Sequence, residues 1–372
     1  MFVFFNLTLI NMRIQTEPIG SIPRPIELIL AIKAHAAGQV SDQDLQLLYD
    51  RAVSDTIKKF EATGSPVISD GEQSKPSFAT YPLQGMQNLS PDGVIIPFAD
   101  GHTRQLPKIT SGPFKYQLYS DVYLQKAKQL TSLPVKQAVI AVSAISLLYP
   151  GEGIEGYSRE EFISDLVNEA VTDIRRSLDK GAHVVQIDFT EARLSLKLDP
   201  SGALLRSFID LNNLVLGRFT RDERKRIGVH SCPGGDRDST HSADISYSGL
   251  LPLLFQLNAG NFYLEYAGEK NKRQVLHTIK NTMKPGQVIF LGVTDVLNPR
   301  VETPEEIRDI VLEAAEIIPV DQLGTTDDCG FSPFADDDST SREKAFEKIR
   351  ARVEGTKLAE TIISKKKHFF QF

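Results

Sequence analysis

Val229-His230-Ser231-Cys232-Pro233-Gly234-Gly235 places an imidazole two residues from a thiol, at the end of the short apolar run Arg226-Ile227-Gly228-Val229. Read as a strand running into a turn, it projects residues i and i+2 from one face, so His230 and Cys232 point into one site. An imidazole nitrogen and a thiolate sulfur are a ligand pair suited to zinc. The sequence holds 2 cysteines in all, and the second, in Asp327-Asp328-Cys329-Gly330, also follows an apolar stretch and precedes glycine. A carboxylate at Glu265, in the otherwise apolar Asn261-Phe262-Tyr263-Leu264-Glu265-Tyr266, is the fourth member of a candidate shell. Each position has a plainer alternative when taken alone: a buried thiol, a hydrogen-bonded core histidine, a glutamate paired with a neighbouring Arg or Lys.

Other polar groups recur at the ends of apolar runs. Ile14 to Ile22 reads as a strand ending in Glu17-Pro18-Ile19-Gly20-Ser21, where glycine permits close backbone approach and Ser21 supplies a hydroxyl. Pro66 to Asp70 runs into Gly71-Glu72, Val184 to Ile187 into Asp188, and Gln287 to Val293 stops just short of Asp295.

The elements that would position these groups alternate. Helical spacing covers Ile26 to Ala36, Asp42 to Thr63 behind a Ser41 cap, Ser120 to Thr131, a run to Lys180 opened by the capping-box signature Ser158-Arg159-Glu160-Glu161, and Leu204 to Arg218. It continues through Asp222 to Arg226, Ser248 to Leu257, Lys272 to Met283, a Thr303-Pro304 start to Ile317, and a last helix from Ser339 or Ser341 to about Ile363. Between them, with Ala138 to Val142 and the run at Leu323, lie eight strands. Polar residues cluster after the C-terminal ends of these strands, which is the layout of a (β/α)8 TIM barrel. The doubly wound alternative lacks its Gly-x-Gly-x-x-Gly turn after the first strand. Residues 74–115, rich in Pro and Gly, read as an inserted excursion after the second strand, a candidate hairpin.

Composition narrows the partners. A chain of 372 residues with 41% hydrophobic and 24% charged residues fits one large globular domain or two small ones, and the barrel layout makes it a single domain over 12–372. A net charge of -6 without a basic stripe argues against nucleic acid, and no apolar run reaches membrane-spanning length. Two cysteines cannot build a disulfide framework, so a reducing, cytoplasmic setting is expected. Residues 1–11 are apolar but lack the basic region and cleavage site of a signal, and are expected to be an N-terminal extension or a mis-called start.

Taken together and in order, Ile19-Gly20-Ser21, Asp70-Gly71-Glu72, Gln186-Ile187-Asp188, His230-Ser231-Cys232, Glu265, Gly292-Val293-x-Asp295 with Pro299-Arg300, and Asp328-Cys329-Gly330 resemble the C-terminal catalytic domain of cobalamin-independent methionine synthase and its short single-barrel relatives. The resemblance runs over nearly everything from Ile14 to Ile363. It implies that His230, Cys232, Glu265 and Cys329 bind zinc, that Ser21, Glu72 and Asp188 hold the amino-acid part of homocysteine, and that a methyl group passes to the homocysteine thiol. Two departures concern the methyl donor. The chain has no tryptophan, and Ala144 stands where the family places one near the pterin; Leu297 stands in place of the histidine proposed to donate a proton. The thiol-activating half is therefore expected intact. The donor is methyltetrahydrofolate or a methylated corrinoid protein, with Asp295 the nearest substitute acid and the corrinoid expected to be preferred. Alternatives within the same fold are alkyl transfer to another thiol and a non-catalytic zinc-binding barrel.

Overall fold

Helix starts follow local chemistry. In a computed structural model of the chain, which describes residues 13–369, Ser41 Oγ accepts the backbone N–H of Asp44 and opens a helix over Asp42–Ala62 that buries Leu45, Ala52, Val53, Ile57 and Phe60. Reciprocal capping boxes at Ser158 and Glu161 and at Thr303 and Glu306 start the helices Arg159–Asp179 and Pro304–Ile317. Each box satisfies two N–H groups that the first helical turn leaves without partners. The expectation about residues 1–11 lies outside the described residues.

Seven parallel strands form one sheet in the order Gln15–Thr16, Leu323–Thr326, Val288–Gly292, Asn261–Leu264, Ile227–Ser231, Val185–Asp188 and Gln137–Ile140. Their residues are buried almost without exception, as expected when helices pack outside a barrel and side chains fill its inside. The ring is completed by the Pro66 to Asp70 segment. It is not a full strand: it holds one parallel bridge from Ile68 to Val135, while Gly71 O accepts from Ile22 N at 3.0 Å on its other side. Ile14 to Ile22 likewise shortens to two strand residues. Pro18 has no N–H to offer the ladder, and the chain beyond it turns inward as a loop at the rim. No described helix is long and apolar enough to cross a membrane.

Register does the positioning. Asp188 pairs with His230, His230 with Tyr263, and Gly292 with Thr326, so the C-terminal strand ends deliver their side chains to one rim. Over that rim folds the 74–115 excursion, in which two antiparallel ladders, Leu89–Ser90 with Lys108–Ile109 and Ile95–Pro97 with Thr103–Gln105, make one interrupted hairpin. The turn expected after Cys232 also carries a small hairpin, Gly235–Asp236 with Ser239–Thr240.

Candidate active site

The two cysteines, on loops after different strands, bring their sulfurs to 3.0 Å; both remain free thiols. His230 completes a cluster in which the ligand atoms of His230, Cys232 and Cys329 all lie within 4.8 Å of one another. Its Nδ1 lies 3.2 Å from Tyr263 O and donates to it, which leaves Nε2 as the lone-pair nitrogen, buried and without a hydrogen-bond partner. A hydrogen bond from the Cys232 thiol lowers the Cys329 thiol well below its ordinary range, and the same contact raises Cys232. A buried imidazole nitrogen without a partner and two adjacent thiols that a cation would deprotonate form a donor set that fits zinc.

Cys329 is placed by its neighbour. The Asp328 carboxylate accepts the backbone N–H groups of Tyr266, Ala267 and Gly268 at 2.8, 2.8 and 2.7 Å, which ties the Cys329 loop to the end of the Glu265 strand. Only glycine fits opposite it at 292, where a Cβ would come within 2.1 Å of Asp328 Oδ1.

Glu265, expected as the fourth ligand, lies outside the 4.8 Å set. Its Oε2 sits 2.5 Å from Nη1 of Arg193, a buried guanidinium that also binds Glu269 and the carbonyls of Ala243 and Ile245. A buried guanidinium demands anionic partners, and this demand draws the carboxylate aside. Arg193 belongs to a helix, Glu191–Leu198, that sequence spacing did not indicate. Burial, reinforced by the negative charge of Asp328, pushes the Glu265 carboxyl well above its ordinary range.

Ser21, Glu72 and Asp188 share one pocket with His230 and Cys329. Glu72 sits at φ 55, a left-handed conformation that an L residue holds only under constraint. The constraint is Arg24, whose guanidinium donates to the carbonyls of Glu72, Lys75 and Gln73 at 2.7, 2.8 and 3.2 Å and to Phe334 O at 3.0 Å. Asp188 accepts from Gln186 Nε2 at 2.7 Å, and burial pushes its carboxyl up to about 7. Ser21 Oγ accepts from Ser332 N at 3.3 Å, and a Cβ at Gly330 would come within 2.2 Å of that oxygen and push the hydroxyl aside. A hydroxyl and two carboxylates around one space can accept the three N–H groups of an α-ammonium.

Asp295 is elsewhere. Its Oδ1 accepts from Leu297 N at 3.0 Å and its own N–H goes to Glu302, so the side chain is used in closing a turn and does not line the pocket. Ala144, buried in the short Val142–Ile145 helix, does not line it either. The remaining wall comes from groups that sequence spacing did not single out: Phe78, Ile96, Phe98, Arg104, His241 and Phe334. Arg104 bridges Asp236 and Asp336, with Nη2 at 3.0 and 2.9 Å, and lies 4.1 Å over the Phe334 ring. That clamp locks the excursion onto the Asp236 hairpin and the C-terminal rim loop. The available signal was the two-residue alternation of Ile96 with Phe98 and of His102 with Arg104 inside a Pro/Gly-rich stretch.

Comparison with known proteins places this geometry. The family model described as the catalytic domain of cobalamin-independent synthase matches residues 14–357. The methionine synthase of Sulfurisphaera tokodaii is 23% identical over 343 residues, 92% of this chain and 91% of that protein. One from Saccharolobus islandicus is 23% identical over 94% of this chain and 96% of its own length. The structure of a B12-independent methionine synthase from Shewanella, solved with selenomethionine, superposes with a TM-score of 0.73 at 18% identity, covering 95% of this chain and 99% of the other. At that identity the superposition speaks for the barrel, and the family match carries the rest: the chain belongs to the cobalamin-independent methionine synthases, as a homologue of their catalytic domain and a homocysteine methyltransferase.

Proposed function

We propose that the chain makes methionine by zinc-dependent methyl transfer to the sulfur of homocysteine. The observation that carries this reading is the meeting, in one pocket, of the His230 and Cys329 wall with Ser21, Glu72 and Asp188. One end of that pocket suits a thiol and the other an amino acid. His230 Nε2, Cys232 Sγ and Cys329 Sγ would hold the zinc, with Glu265, just past the strand that pairs beside His230, as the carboxylate of the set. Zinc so held supplies positive charge that keeps an incoming thiol ionised at neutral pH.

The chain's own residues then bind and aim the substrate. Glu72 and Asp188 accept the ammonium, Ser21 adds a third polar contact, and the sulfur is thereby fixed in line for attack on the methyl carbon. The Shewanella protein is described in complex with selenomethionine, an amino acid of the same class as the product.

For the donor we favour a methylated corrinoid. A tertiary amine such as folate N5 leaves poorly unless protonated; Leu297, at the position of the family's proton-donating histidine, has no proton to give, and Asp295 does not line the pocket. A methyl–cobalt bond breaks with its electron pair remaining on cobalt and asks for no acid.

Two measurements test the proposal. X-ray absorption at the zinc edge should show an added sulfur neighbour when homocysteine is supplied, and methionine should form faster with methylcobalamin than with methyltetrahydrofolate at matched homocysteine and zinc. An unchanged edge together with no methionine from either donor overturns the reading. A clear preference for the folate overturns the choice of donor alone.

A further inference from the structure

His241 lines the pocket but belongs neither to the sulfur cluster nor to the ammonium site. It follows the Ser239–Thr240 strand of the small hairpin, held by its backbone N–H on Gly234 O at 3.2 Å. The imidazole is buried, with Nδ1 2.9 Å from Ser242 Oγ, and Ser242 donates its hydroxyl proton to Pro233 O at 3.0 Å. A hydroxyl has one proton, so Ser242 must accept from the ring. Nδ1 therefore carries the hydrogen, and Nε2 is left with a lone pair.

That nitrogen lies against Gly234, the residue whose backbone also reaches the sulfurs. A Cβ at Gly234 would fall 1.7 Å from His241 Nε2, and one at Gly235 would sit 3.9 Å from Cys329 Sγ. Gly234 N itself donates to Cys232 Sγ at 3.4 Å. Gly234 thus touches both the imidazole and the sulfur cluster, and His241, Gly234, Gly235 and Cys329 line one pocket, so a substrate sulfur bound in that pocket beside Cys329 shares it with the ring. Burial, with the positive charges of Lys197 and Arg193, pushes His241 down to about 4, which keeps Nε2 unprotonated in the resting pocket. Lys197 binds His241 O at 3.0 Å and is itself paired with Asp244 at 2.9 Å.

We propose that His241 Nε2 takes the proton of the incoming homocysteine thiol, a role that rests on the methyl-transfer reading above. The S–H bond breaks with its electron pair staying on sulfur, an N–H bond forms at Nε2, and the ring becomes an imidazolium beside a thiolate. The new negative charge offsets Lys197 and Arg193, so the ring gains proton affinity only when substrate is present. Methionine leaves without a thiol proton, and the imidazolium returns its proton to solvent.

The test counts protons. Homocysteine is titrated calorimetrically into the zinc-loaded protein in buffers of different ionisation enthalpy near neutral pH. The native chain should release about one proton per site fewer than His241→Gln with zinc content unchanged, because in the variant the thiol must ionise into the solvent while any proton lost from Asp188 is common to both. Ser242→Ala keeps the imidazole but removes the partner that fixes its tautomer; it should give an intermediate value and keeps the test open if His241→Gln does not fold. Equal release from the native chain and from whichever variant folds overturns the proposal. Absence of any homocysteine-dependent heat in the native chain overturns the methyl-transfer reading beneath it, which is a different trace.

Discussion

Lys75 Nζ lies 2.8 Å from Glu72 Oε1, and both side chains are shut away from solvent. The same ammonium donates to Ala138 O at 2.9 Å and sits 4.5 Å over the Tyr81 ring. Burial pulls the lysine toward the neutral form, but Glu72 and Asp70 outweigh it and hold the charge. One carboxylate oxygen of Glu72 is therefore fixed by Lys75, and the other is left for the pocket.

Lys75→Met should raise the homocysteine KM at least about tenfold, with a smaller change in kcat, because it loosens the carboxylate that receives the ammonium and leaves the sulfur cluster untouched. It should also lower stability by about 3–5 kcal/mol, the usual result of stripping one partner from a buried ion pair. Lys75→Arg should recover part of both. Steady-state kinetics with a denaturant melt would check this, and an unchanged KM would remove Glu72 from the ammonium site.

Metal content should separate the two thiol ligands from Glu265. Cys232→Ser and Cys329→Ser should each lose zinc, since a hydroxyl is a far poorer ligand than a thiolate, while the barrel stays folded on its large apolar core. Glu265→Gln should weaken zinc by about 10–100-fold and no more, because the resting carboxylate is held by Arg193. Metal analysis after dialysis against a competing chelator gives the answer, and full occupancy in both serine variants would overturn the zinc assignment.

Glu191 should give the stability a pH dependence. Its Oε1 accepts from Ser143 Oγ at 2.5 Å, its Oε2 has no partner, and burial pushes its carboxyl from 4.5 up to about 7. The folded state thus holds a proton that the unfolded chain gives up, so this group's share of stability is intact below pH 4.5 and is lost as pH rises to about 7. Glu191→Gln, neutral and of the same shape, should be more stable than the native chain by about 1–3 kcal/mol above pH 7.5 and equal to it near pH 4. Urea melts of the two proteins across this range would show whether the curves converge in acid.

Arg104→Ala should free the excursion from the rim, since the one guanidinium bridges Asp236 and Asp336 and covers Phe334. Backbone amides of Ile95, Ile96 and Thr103–Gln105 should exchange faster by about tenfold, with little change at the barrel strands. Hydrogen exchange measured segment by segment would detect it; equal protection in the variant would show that the hairpin is held by its own ladder.

The sequence alone determined the alternation of strands and helices, because helix starts at Ser41, Ser158 and Thr303 are written in adjacent residues and apolar spacing repeats within a few turns. It also determined that an imidazole and a thiol share a face, since His230 and Cys232 are neighbours on one strand and its turn. What it left open depended on distant partners. Pro66 to Asp70 looks like a strand, yet pairs at Ile68 alone. Glu265 has the right chemistry and strand position for a ligand, but a buried guanidinium from the unrecognised Glu191–Leu198 helix holds it. Asp295 follows its strand as expected, and its carboxylate closes a local turn with Leu297. His241 carries no spacing signal at all. Its tautomer is fixed by Ser242 and Pro233, and its access to the pocket by the missing side chain of Gly234. Local propensity is set by a residue's neighbours in the chain, whereas the side on which a charged group settles is set by whichever buried partner most needs its charge, and only the packed barrel brings those partners together.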